Sequence, residues 1–164
     1  MENLTGLQLQ EREARVEAEA ALLLGRMQFE FSRLDVALGL CAVWTDEGVN
    51  LKELTPRIDG MSFHRKLEFI AAVVERRLKK GSLTYASYTD WIERTNAARI
   101  LRNELVRGRW YIDPRTEEAV NIIGLPTSDG QHEKRYSLPA LARAVDTLRK
   151  LQNQLSKLRR QEPL

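Results

Sequence analysis

The stretch Ile100–Trp110, "ILRNELVRGRW", concentrates the side chains best suited to chemistry on an anion. Arg102 and Arg107 carry planar guanidinium forks that match phosphate oxygens two at a time, and Asn103 adds an amide. Placed on a helix at about 100° per residue with Trp91 as origin, Ala98 and Leu105 fall within about 40°, and Tyr88 and Val106 at about 60°. Arg102 falls at about 20°, in the middle of that apolar face. A guanidinium buried there alone is costly. Arg102 must therefore open onto a cavity, grip an anion, or pair with an acid on another helix, for which Asp35 and Glu68 are the candidates. Asn96, Ile100, Asn103 and Arg107 form a second stripe between about 120° and 180°. Two amides, one apolar residue and an arginine suit a ligand groove or a subunit contact, so Asn96, Ile100 and Asn103 are expected on such a face. Asn103 flanks both stripes and brings Arg102 and Arg107 within reach of a common site.

Charge distribution supports an anionic partner. The 164-residue chain has a formal net charge of only +3. Between Arg65 and Arg115, however, twelve Lys and Arg face six Asp and Glu, while the chain through Glu19 is acidic. A local cationic field of this kind draws anions.

The elements that must position these residues follow from apolar periodicity. A first helix is predicted to start between Leu9 and Ala18 and to run to about Trp44. Met27, Phe31, Leu34, Leu38 and Cys41 make one stripe on it. Leu22, Phe29, Val36 and Val43 make a second at heptad spacing, which places the helix centrally in its bundle or shares it with a partner. "LKELTPRIDG" reads as a loop with at most one helical turn. Ser62 caps a second helix whose stripe is Phe63, Leu67, Ile70, Val74 and Leu78, closed by "KKG". His64 sits in its first turn as a surface residue. A third helix spans about Thr84 to Arg107, with Gly108 as its stop. The period then changes: "RWYID", the turn "PRTEE" and "AVNIIGL" predict a β-hairpin, to which "HEKRYS" can add a third strand. Ser137 caps a last helix with Pro139 in its first turn. Leu141, Val145, Leu148, Leu155 and Leu158 line its core face.

The predicted fold class is mainly all-α: a four-helix bundle with a small β-hairpin inserted before the last helix. An N-terminal arm or helix extension is expected over 1–16, a single helical domain over 17–160 with the hairpin at about 109–136, and a frayed tail over 161–164.

"LRNELVRGRW" resembles the motif of HEPN-domain proteins: Arg, a polar residue such as Asn, then His after four to six intervening residues. Many relatives read like "RN-x-L-x-H-G-x-W". The match falls on Arg102, Asn103, Leu105, Gly108 and Trp110, with Arg107 standing where the family has histidine. "FSRLDVAL" and "MSFHRKLEFI" fit the family's helical pattern, and the resemblance covers roughly Ala21 to Leu158. It implies a HEPN-like bundle that pairs as a homodimer around this helix, with a metal-independent ribonuclease site in active members. There the histidine helps activate the ribose 2′-hydroxyl and the arginine holds the scissile phosphate. Carried onto this chain, Arg102 and Asn103 bind phosphate, and Arg107 and Arg109 extend the cationic surface. The catalytic residues stay unknown, with Arg102 and Glu104 as the weak candidates. A guanidinium stays protonated at physiological pH and cannot act as a general base, a loss of roughly 10² to 10⁴ in rate. Glu104, Tyr111 and His64 are possible substitutes, none indicated by spacing.

Three readings follow. The first is a dimeric RNA- or nucleotide-phosphate-binding protein with impaired catalysis. The second is an interaction or scaffold protein whose motif supports dimer packing and which takes a protein partner. The third is an active ribonuclease with a substituted base. A toxin–antitoxin or antiphage context suits the family. No cofactor and no metal site are expected, because two distant histidines and one cysteine make no ligand set. No apolar run approaches a membrane span, and the N-terminus does not read as a signal peptide, so a cytoplasmic protein without membrane association is expected.

Overall fold

Thr5 starts the first helix by a reciprocal cap. Its Oγ1 accepts from the Gln8 backbone N–H at 3.3 Å, while the Gln8 Oε1 accepts from the Thr5 N–H at 2.9 Å. Two orphan donors are satisfied together. The helix therefore begins before the apolar periodicity does, and α1 runs without a break over Gly6–Val43. The computed structural model describes residues 4–164. Of the expected N-terminal arm, residues 1–3 lie outside the described residues, and the part from Gly6 onward belongs to α1.

The chain is mainly helical, with five α-helices and one small antiparallel sheet among the described residues. After α1 come α2 (Leu51–Asp59), α3 (Phe63–Arg77) and α4 (Leu83–Leu105), then β1 (Arg109–Asp113), β2 (Glu118–Ile123) and β3 (His132–Ser137), and finally α5 (Leu138–Gln161). The loop expected at "LKELTPRIDG" is instead the nine-residue α2. Pro56 removes one ladder bond, yet Leu54 and Ile58, four apart, are both buried. Burial of that edge outweighs the proline, as tertiary packing commonly does for short helices.

By its internal packing the backbone divides into two compact units. One is the chain up to Phe29 with Leu101–Asp146; the other is Glu30–Ile100 with Thr147–Leu164.

The first unit buries Val16, Ala20 and Met27 of α1, Leu105, Ile112, Ala119, Val120, and Leu141 and Val145 of α5. Its sheet is the meander β1-β2-β3, so the third strand is present beside the expected hairpin. Trp110 pairs with Asn121 and Asn121 with Lys134, which puts these three side chains in one row on one face. Arg12 and Arg15 of α1 form ion pairs with Glu117, a left-handed residue (φ 56°) in the β1–β2 turn. Ser137 caps α5 by accepting from the Ala140 N–H at 3.2 Å.

The second unit encloses the expected first stripe of α1 from Phe31 to Cys41, together with Leu67, Ile70 and Val74 of α3. Tyr88 and Trp91 are fully buried, and the indole N–H of Trp91 donates to the Leu151 carbonyl at 2.9 Å. Burial pushes the Cys41 thiol up to about 11, in keeping with a small core residue. Residues 161–164 are not frayed, contrary to expectation. The Tyr88 hydroxyl donates to the Glu162 carbonyl at 2.7 Å, and the Asp46 N–H donates to the Leu164 carbonyl at 3.2 Å. Burying the Tyr88 ring requires a partner for its hydroxyl, and the tail supplies one.

Candidate anion-binding site

The last turn of α4 meets the sheet through a tight corner, and the corner explains much of "ILRNELVRGRW". Leu105 is a core residue. Gly108 is left-handed (φ 79°), and a Cβ there would lie 2.5 Å from the Ile122 carbonyl oxygen and 2.8 Å from the Asn121 Oδ1. Only glycine fits that position. Trp110 folds back, and its indole N–H donates to the Leu105 carbonyl at 3.2 Å while its ring packs on Tyr136, 5.8 Å between centroids. Asn121, buried in the middle of β2, donates its amide N–H to the Arg107 carbonyl at 2.7 Å. Two of the carbonyls exposed where a helix ends are thus satisfied by side chains of the sheet.

Glu104 faces the same sheet. Its carboxylate binds the Lys134 ammonium at 2.7 Å and holds the Lys134 pKa above its ordinary value. Glu104 is therefore engaged in a surface ion pair.

Arg102, expected in the middle of an apolar face with a partner or an opening, is half-buried. The apolar direction set by Trp91 belongs to the second unit, and Arg102 lies three turns further on, in the first. Its Nε and Nη2 donate to the Gln28 Oε1 at 3.2 and 3.0 Å, and its Nη1 donates to the Asn103 Oδ1 at 3.2 Å. Two side-chain amides from two helices thus set the plane of the guanidinium. Of the two acids considered for it, Asp35 holds Lys66 at 2.9 Å, and Glu68 lies 3.3 Å from His64.

The structure links Arg102 and Asn103 by this bond, whereas Arg107 and Arg109 belong to the corner. Arg107 is tied through its backbone, its N–H donating to the Glu104 carbonyl at 3.2 Å and its carbonyl accepting from Asn121; its exposed side chain makes no hydrogen bond or ion pair among the described residues. Arg109 donates to the Gln131 Oε1 at 3.2 Å. Of the second stripe, Asn96 accepts from Arg99 at 3.0 Å and Ile100 is exposed; both lie in the second unit. His132 is exposed at the start of β3.

The sequence reading missed Gln28 and Asn121. Gln28 carries no local signal, because its role appears only when α1 lies beside the end of α4. Asn121 does carry one, being the single polar residue inside "AVNIIGL".

Among the described residues no group of three His, Cys, Asp or Glu side chains is placed to hold a metal ion, and no helix is long and apolar enough to cross a membrane. Comparison with protein-family models gives no match, and no curated protein or solved structure matches the chain.

Proposed function

We propose that the chain binds a phosphate group of RNA or of a nucleotide through Arg102 and Asn103, with Arg107 and Arg109 widening the cationic surface, and that it cleaves RNA poorly or not at all. The observation that carries this reading is the Arg102 guanidinium, oriented by the Gln28 and Asn103 amides at 3.0–3.2 Å. A fork held in one plane loses less freedom when an anion arrives, and a guanidinium recognises phosphate oxygens in pairs. Arg107 adds an exposed side chain with no partner among the described residues. In this reading the chain is a HEPN-like helical bundle whose histidine position is filled by an arginine, which cannot take a proton from the ribose.

The corner favours a second reading. Leu105, Gly108 and Trp110 all have packing or capping roles, so these three motif matches also suit a protein that uses the turn only as structure.

Titration of labelled single-stranded RNA at graded salt separates the two. Binding that weakens with salt, and that falls roughly tenfold in Arg102→Ala with a salt slope shallower by about one phosphate contact, supports the first reading. No binding at low salt, or an Arg102→Ala protein that binds like the wild type, overturns it. Incubation with RNA in EDTA is expected to leave the RNA intact; cleavage abolished in Arg102→Ala would reinstate a ribonuclease.

A further inference from the structure

A cleft of about 390 Å³ lies in the second unit, between α2 and α3. Asn50, Leu54 and Arg57, at steps of four and three, line one wall, and Phe69, Val73 and Arg76, at the same steps, line the other. One stripe of each helix therefore turns to the cleft. Leu54 and Val73 are buried, and Ala72 beside them is small and exposed, so the floor between the walls is apolar and open. Glu53 precedes Arg57 by four residues, the spacing at which a helix normally pairs such charges. That pair is not formed. The Arg57 guanidinium instead lies over the Phe69 ring of α3, 5.8 Å from its centroid. Neither Arg57 nor Arg76 has a hydrogen bond or ion pair from its side chain among the described residues. Asn50 begins α2 without its side chain capping it, so that amide is uncommitted too.

We infer that this cleft binds a small aromatic carboxylate. Charge balance selects a monoanion. Asp46 also lines the cleft, but its carboxylate is already paired with Arg77. That leaves Arg57 and Arg76 against Glu53, a surplus of one positive charge. A carboxylate matches the surplus and takes two parallel bonds from a guanidinium fork. A phosphate monoester, with roughly two negative charges at neutral pH, overshoots it and is repelled by Glu53 as well. The body of the ligand follows from the walls. Leu54, Ala72 and Val73 offer apolar surface with no side-chain hydrogen-bonding group, and a flat ring laid on it can also rest against the exposed Arg57 guanidinium, as the Phe69 ring does. The volume is at the lower end for small-molecule sites, which limits the ligand to about two rings. All of these residues belong to the second unit, whereas Arg102 and Asn103 belong to the first, so the two sites are tested independently.

Titration of the full chain with sodium naphthoate, followed by its amide NMR shifts, is expected to move Leu54, Phe69, Ala72 and Val73 with a Kd on the order of 10⁻⁴ M, the affinity that a ligand of this size supports. The neutral naphthylmethanol binds roughly tenfold more weakly, because it lacks the charge-assisted bonds. Inorganic phosphate leaves these amides in place. Arg57→Ala and Arg76→Ala each weaken naphthoate binding roughly tenfold. Arg65→Ala, which removes an exposed cation of α3 that does not line the cleft, leaves it unchanged. Glu53→Gln strengthens binding by removing the one opposing charge. Ala72→Phe fills the floor and abolishes binding with both arginines in place, while its circular dichroism stays that of the wild type. The absence of any shift up to millimolar naphthoate overturns the inference. So do shifts confined to residues outside the cleft, equal affinity for the neutral alcohol, or wild-type affinity in both arginine variants. Phosphate that moves the same amides as strongly as naphthoate overturns the carboxylate assignment.

Discussion

Two polar clusters on α1, two residues apart in sequence, show how differently one helix uses charge. Glu30, in the second unit, is a carboxylate with 7% of its side chain exposed. Its Oε1 accepts from Arg33 and from Arg149, each at 3.0 Å, and its Oε2 accepts from Gln152 at 2.9 Å. Gln28, in the first unit, offers a neutral amide oxygen to the half-buried Arg102. Burial alone pulls the Glu30 pKa up, but the hydrogen bonds from Gln152 and Arg149 and the charges of Arg33 and Arg149 outweigh it and leave it below the usual range. The Glu30 cluster is a charge matched from several sides, the arrangement expected where a charge serves the fold. At Arg102 the Gln28 and Asn103 amides fix the plane of the guanidinium at a half-buried position, an orienting arrangement rather than a matched set of charges around a buried one.

The comparison predicts its largest effect at Glu30. Glu30→Ala leaves Gln152 and two arginines without their acceptor and is expected to cost about 3 kcal/mol at neutral pH, the low end for breaking a buried pair because both arginines are mostly in water. Its pH dependence identifies the cause. The folded-state pKa lies below the unfolded one, so the contribution is complete above the unfolded value and is lost as pH falls through the folded one. Urea unfolding of wild type and Glu30→Gln should therefore show a stability gap above about pH 5 that narrows on acidification. A gap that stays constant with pH would mean that packing, not charge, dominates at Glu30.

A smaller effect is expected at the corner of the first unit. Gly108→Ala adds a left-handed alanine and a clash with the Ile122 carbonyl, for a loss of about 2 kcal/mol by denaturant unfolding. Because the corner carries Arg107 and Arg109, the same substitution should also weaken RNA binding. A stable Gly108→Ala protein with unchanged binding would detach the corner from both fold and function.

Legibility in the sequence followed distance along the chain. The core stripe of α1, the Ser62 and Ser137 caps, and the change of period after Gly108 all depend on residues within a few turns, and each was readable. Thr5 and Gln8 form a capping box that precedes the apolar pattern, so periodicity alone starts the helix too late. In "LKELTPRIDG" the four-residue step from Leu54 to Ile58 suits a helix despite Pro56, and only the burial of both residues decides for it. At the site, the residue types were legible and their partners were not. Gln28 lies 74 positions from Arg102 and Asn121 lies 14 from Arg107, and nothing local specifies which amide meets which group. The helical wheel misplaced Arg102 for a related reason: it treats α4 as having one environment along its length, whereas α4 passes from one compact unit into the other.

The smallest stability effect is the one that tests the comparison most sharply. Arg102→Ala removes three hydrogen bonds to amide oxygens, all at 3.0 Å or longer and at a half-buried position. Both amides can turn to water when the guanidinium leaves, so the loss of these three bonds should cost under about 1 kcal/mol. RNA affinity should nevertheless fall further than in Glu30→Ala, once that variant is compared at a temperature where it remains folded. Gln28→Ala is the finer probe, because it keeps the charge and removes the brace. If orientation of the fork matters, Gln28→Ala lowers affinity while leaving the salt slope near that of the wild type, since the number of phosphate contacts is unchanged. If Arg102 instead serves the fold as Glu30 does, Arg102→Ala and Gln28→Ala will lose stability together and affinity only in proportion to unfolded protein.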